Sequence, residues 1–140
     1  MLTSASLAER LRVAVGRLAR RLRQQSLGGL TPSQSAILSS LDRRGPMSMS
    51  RLAKFEAISK PSATGIVSRL IDKGFVVRSD DPEDGRSAIV AITPAASALL
   101  EQRRQERTAF LARRIDALSD EEQLTLAKAA ELLERITAEE

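Results

Sequence analysis

Cysteine, histidine, tryptophan and tyrosine are all absent from the 140 residues, and phenylalanine occurs only three times. Without cysteine there is no disulfide, no thiolate metal site and no thiol-based redox switch. Without histidine the commonest general base and the commonest metal ligand are both missing. The chain also lacks a glycine-rich phosphate loop and a serine beside a plausible base, which argues against an enzyme and against any bound cofactor or metal. Its longest apolar runs fall far short of a membrane span, and the N-terminus has no signal-peptide core, so the sequence reads as an unprocessed cytoplasmic protein without membrane contact.

The chain does carry charge, unevenly spread. Lysine and arginine number 22 against 18 aspartate and glutamate, a net +4. Residues 1–30 carry +5, residues 31–93 carry +2 and residues 94–140 carry −3. Such polarity predicts a basic surface at one end and an acidic one at the other. The length suits one domain with a real core.

Helical periodicity dominates. Leu7, Leu11, Val15, Leu18 and Leu22 recur at steps of three and four, which predicts a core helix with a solvated arginine-rich flank, ended by Gly28-Gly29. TPSQ at 31–34 places Thr at an N-cap, Pro at the first helical position and Gln three residues after the cap. Ser48 can cap a short helix, SRLAKF, and Ser59 a further one, KPSATGIVSRLIDK, ended by Gly74. Two short helices with a tight turn between them form a helix-turn-helix layout. FVVR and AIVAI then read as the strands of a hairpin. Thr93-Pro94 opens a long helix to about residue 117, and SDEE at 119–122 opens a last one. The expected fold is mainly α (α+β): six helices and a small β-hairpin.

On the helix from 59 to 73, Ala63, Ile66, Val67, Leu70 and Ile71 fall in one arc and form its expected buried face. The opposite arc holds Pro61, Ser62, Thr64, Gly65, Ser68 and Arg69. A glycine inside a helix costs about 1 kcal/mol relative to alanine. At the middle of an outward arc, it lets a partner surface come close. A DNA major groove accepts such a helix, with small hydroxyls and an arginine reaching base edges or phosphates. The helix N-terminus, with Lys60, adds positive charge for a phosphate. A plain soluble face would look much the same in isolation; the adjoining helix-turn-helix and hairpin favour DNA.

Four stretches together resemble the MarR family of winged helix-turn-helix transcription regulators: LTPSQSAILSSL at 30–41, LAKFEAISKPSATGIVSRLIDKGFVVR at 52–78, DPEDGRSAIVAIT at 81–93 and LSDEEQLTLAKAAELLERI at 118–136. The wing run is the most specific: Asp, Pro, any residue, Asp, any residue, Arg, then an apolar strand ending in Thr. The resemblance implies a homodimer in which 1–30 and 94–140 form the helical dimerisation region and 31–93 the DNA-binding lobe. It implies recognition helices (59–73) and wings (80–87) on a near-palindromic duplex operator, repression, and release by a small lipophilic or phenolic effector. DNA contacts are then expected from Ser48, Lys60, Pro61, Ser62, Thr64, Gly65, Ser68, Arg69 and Arg86.

The wing departs from the family at Gly85, where a further arginine is frequent, and the cysteine of the family's redox branch has no counterpart. Four acids crowd residues 80–84, ahead of a single arginine. Asp84 sits two residues before Arg86 and can hold its guanidinium as a bidentate pair. Asp84 and Gly85 are therefore expected as wing scaffold, and Arg86 as the reader of a narrow minor groove. An effector pocket is expected between the dimerisation helices and the lobe, drawing on Leu7, Leu11, Val15, Ile37, Leu41 and Phe110. Core packing explains each of these positions equally well. A winged helix used only as a protein-interaction module is the alternative, and it would lack salt-dependent DNA affinity.

Overall fold

The computed structural model describes residues 2–25, 28–80, 82–83 and 88–138. They form six helices and a small antiparallel sheet: α1 (Ser4–Gln24), α2 (Pro32–Arg44), β1 (Met47–Ser48), α3 (Met49–Phe55), α4 (Lys60–Asp72), β2 (Val76–Asp80), β3 (Ala88–Ile92), α5 (Pro94–Asp116) and α6 (Asp120–Thr137). The predicted caps form. Thr31 and Gln34 close a capping box on α2, Ser119 and Glu122 one on α6, and Ser48, Ser59 and Thr93 cap α3, α4 and α5. Each satisfies backbone N–H groups that a helix start leaves without partners. The Glu122 carboxyl is held below its ordinary value by hydrogen bonds with the backbone and then the side chain of Ser119.

The expected hairpin forms from β2 and β3, and a third strand that the sequence did not announce, β1, joins it. The sheet order is β1-β3-β2, with Met47 opposite Val90 and Ser48 opposite Ile89. A two-residue strand is too short to show an alternating pattern. Ser48 serves at once as strand residue and as the cap of α3.

The core lies inside the lobe. Ile37, Leu38 and Leu41 of α2 meet Leu52 of α3, Val67 and Leu70 of α4, Val76 of β2 and Val90 of β3, all fully buried. Burying one such side chain stabilises the fold by about 1.5–3 kcal/mol. α5 enters this core through Ala96 and Leu100 near its N-terminus. The Ser40 hydroxyl donates to the Glu56 carboxylate, tying α2 to the turn of the helix-turn-helix.

Two expectations about burial fail. Ile71, placed in the buried arc of α4, is 37% exposed, because its position falls at the arc's margin beyond Val67 and Leu70. α1 is no core helix within one chain: none of its residues is buried, and the same holds for α6. Their apolar faces run beyond the lobe.

α3 and α4 end with the same hydrogen-bond pattern but different residues. After α4, Gly74 takes φ +79°, with Gly74 N–H donating to the Ile71 carbonyl and Phe75 N–H to that of Leu70. After α3, Ala57 takes φ +56°, with Ala57 N–H donating to the Lys54 carbonyl and Ile58 N–H to that of Ala53. This is the left-handed helix terminus that glycine suits and a Cβ opposes. Ala57→Gly is expected to stabilise the protein by about 1 kcal/mol. The melting temperature should rise by roughly 3–6 °C. A melting curve that is unchanged or shifted downward would contradict this account of the turn.

Candidate nucleic-acid interface

α4 presents the face that its sequence predicts. Pro61, Ser62, Thr64, Gly65, Ser68 and Arg69 are all exposed, as is Lys60 at its first turn, while Ala63, Val67 and Leu70 anchor the opposite side. Local chemistry fixes the hydroxyls. Ser59 Oγ accepts from the Ser62 N–H and donates to Ser62 Oγ at 2.8 Å, and Thr64 Oγ1 donates to the Lys60 carbonyl at 2.9 Å. Thr64 therefore offers an acceptor and a methyl group outward rather than a donor. A Cβ built on Gly65 meets nothing within 4 Å, so no neighbour within the chain requires a glycine there. Arg69 makes no ion pair among the described residues, which leaves its guanidinium available to a phosphate or a guanine edge.

α3 adds two basic residues that the sequence reading passed over. Arg51 and Lys54 are exposed, on the side away from buried Leu52 and Ala53. Their spacing of three within SRLAKF already puts them on one helical face. The first helix of a helix-turn-helix crosses the DNA backbone, where such cations suit phosphates. Ser48 is half-buried, with its hydroxyl occupied as the cap of α3.

The hairpin pairs from Val76 opposite Ile92 to Asp80 opposite Ala88. Asp84, Gly85 and Arg86 lie outside the described residues.

The six residues expected to line an effector pocket fall in three places. Leu7, Leu11 and Val15 line an apolar groove of about 500 Å³ between α1 and α6, facing Leu133 and Ile136. Ile37 and Leu41 are core residues of the lobe. Phe110 is buried on α5 with the Arg114 guanidinium 4.3 Å from its ring centre. The junction of α1, α2 and α5 does hold a cleft of about 470 Å³, but Arg20, Arg23 and Arg107 line it together with Pro32 and Ala36. Burial, followed by the neighbouring charges of Arg103, Arg104 and Arg23, lowers the Arg107 pKa. Three arginines lining one cleft favour an anion. Nearby, Arg104 bridges Asp42 of α2 and Glu101 of its own helix, and its pKa is raised by those hydrogen bonds, Glu101 first.

A helix-turn-helix with an exposed small-residue second helix, basic first helix and adjoining hairpin defines a winged-helix DNA-binding protein. The MarR family model matches residues 30–88. An HTH-type transcriptional regulator of Mycobacterium tuberculosis is 35% identical over 132 residues, covering 94% of this chain and 92% of that one. The transcriptional repressor NicR of Pseudomonas putida is 39% identical over 72 residues, 51% of this chain and 46% of its own. The crystal structure of the transcriptional regulator Tm0710 from Thermotoga maritima shares the fold with a TM-score of 0.81 at 22% identity, covering 91% of this chain and 94% of that one. The chain belongs to the MarR family and is a DNA-binding transcriptional regulator rather than an enzyme. No helix among the described residues is long and apolar enough to cross a membrane.

Proposed function

We propose that the chain acts as a homodimeric repressor on a near-palindromic duplex operator, with α4 in the major groove and Arg86 in the adjacent minor groove. The exposed face of α4, with its open Gly65 flanked by Ser62, Thr64, Ser68 and Arg69, carries this reading. A helix built for solvent alone would favour alanine at position 65. The likeness to a repressor in Pseudomonas putida supports repression over activation. Residues 1–30 and 94–140 form the dimerisation region and 31–93 the reading lobe. Consistent with this, no residue of α1 or α6 is buried within one chain. The effector is a small phenolic or lipophilic molecule carrying a negative charge, since the junction cleft pairs Pro32 and Ala36 with three arginines.

The test is binding to a duplex from the protein's own upstream region. Affinity should fall steeply with added salt, because each neutralised phosphate releases counterions. No salt-dependent binding to any duplex would favour the protein-interaction module instead. Arg86→Ala should weaken binding most where the flanking DNA is A·T-rich, since a narrow minor groove concentrates negative potential. Asp84→Ala should reproduce part of that loss if it holds Arg86 in place. A simple charge argument requires the reverse, so tighter binding by Asp84→Ala at fixed salt, with melting unchanged, would refute the scaffold role.

A further inference from the structure

The segment joining α1 to α2 is held from two sides at consecutive carbonyls. Lys73, the C-cap of α4, donates from Nζ to the Gly29 carbonyl at 2.9 Å. Arg103 of α5 donates from Nη2 to the Gly28 carbonyl at 2.9 Å. Both glycines have positive φ, +29° and +87°. A Cβ at Gly28 would lie 2.9 Å from Arg103 Nη2, the far end of a flexible side chain, so an alanine there would push the guanidinium off this contact. Arg103 is only 6% exposed, and among the described residues its Nε has no hydrogen-bond partner. Holding a cation there without a full set of partners is unfavourable, and the carbonyl contact offsets part of that cost. A second tie lies one residue further along: Thr93, the cap of α5, donates from Oγ1 to the Gly74 carbonyl at 2.7 Å.

The C-terminal end of α4 is thus fastened at Lys73 to the glycines that precede α2, which Arg103 of α5 holds from the other side, and at Gly74 to the start of α5. α5 belongs to the region assigned above to dimerisation. A dimer that reads two half-sites must hold its two α4 helices about 34–36 Å apart, one turn of DNA. Loose phosphate binding imposes no such spacing.

We propose that Lys73 is a positioning residue for operator recognition. Through the Gly28-Gly29 segment, with Arg103 on its other side, it fixes the angle of α4 against the helices that set the dimer, and so the spacing of half-sites that the protein accepts. This rests on the reading of the chain as a dimeric DNA reader.

The competing role for an exposed lysine at this helix end is a direct phosphate contact, and salt dependence separates the two. The probe is a duplex selected by the wild-type full-length protein from random sequence, with derivatives whose half-sites are moved apart or together by one base pair. Lys73→Met should lower affinity for the selected duplex about tenfold, the scale of a lost charged hydrogen bond. Affinity for unrelated DNA and the slope of log affinity against log salt should stay unchanged. Discrimination against the respaced duplexes should shrink, and Lys73→Arg should restore much of it. A slope reduced by about one per protomer, with equal loss on all DNA, would show a phosphate contact and overturn the proposal. So would undiminished affinity and spacing preference. Gly28→Ala, which displaces Arg103, should behave like Lys73→Met; if that variant fails to fold, Lys73→Met alone decides. Failure of the wild-type protein to select any duplex would instead refute the DNA-reading function itself.

Discussion

The double variant Leu11→Asp, Ile136→Asp should sediment as a folded monomer and bind its operator on the order of a hundredfold or more weakly than the wild-type protein. Leu11 is 37% exposed and Ile136 72% exposed, so neither supports the core of the lobe. An aspartate at either place costs little within one chain. Between two chains the cost is large. Leu7, Leu11 and Val15 of α1 and Leu133 and Ile136 of α6 form one apolar groove, and Leu124, Leu126 and Leu132 extend the exposed apolar surface of α6. Contiguous apolar surface of this kind marks an interface, and in a symmetric dimer each substitution is met twice. The lobe should keep its melting behaviour and its weak affinity for a single half-site. Losing the second lobe removes the high effective concentration that makes bivalent binding tight. Retention of the dimer would show that the interface lies elsewhere. A monomer with full operator affinity would show that dimerisation is not needed for recognition.

What the sequence discloses about this fold is what a few neighbouring residues decide. TPSQ, SDEE and Thr93-Pro94 announce helix starts because a cap is a contact between residues three apart, and all three form as read. AIVAI announces β3 because a short apolar run rich in β-branched residues is itself a strand signal. The same logic fails where the partner is distant. β1 is two residues whose only signature is the strand they pair with. The regularly spaced leucines of α1 predict burial, but none of them is buried within one chain. Ile71 belongs to the apolar arc by angle, and only packing reveals that the core ends before it.

The site divides along the same line. The exposed arc of α4 follows from helical geometry alone, so its residues were legible. The junction cleft was not. It draws Arg20 and Arg23 from α1, which read as solvated flank, and Arg107 from α5, more than eighty positions away. Apolar periodicity drew attention instead to Leu7, Leu11 and Val15, which the fold places in a different groove.

Gly65→Ala and Gly65→Gln should move stability and operator affinity in opposite directions. Position 65 lies within a regular helix, is exposed, and has open space where a Cβ would stand. Alanine should therefore stabilise the free protein by about 1 kcal/mol, and glutamine by somewhat less. If α4 lies in a major groove, the missing side chain lets its backbone approach the base edges, and anything larger holds it away. Alanine should then weaken operator binding modestly and glutamine severely, in the order of the volume added. Arg69→Ala provides the contrast: it removes a contact instead of blocking one, and should cost about 1–3 kcal/mol of binding while relaxing preference at a single base position. Its effect on stability should be small, because Arg69 is exposed and makes no ion pair among the described residues. Measuring melting temperature and operator affinity on the same preparations separates the cases. A Gly65→Gln protein that melts higher and binds the operator as tightly as the wild type would show that this face of α4 does not meet DNA. Losses in both quantities would instead assign the glycine to folding, against the open space around it.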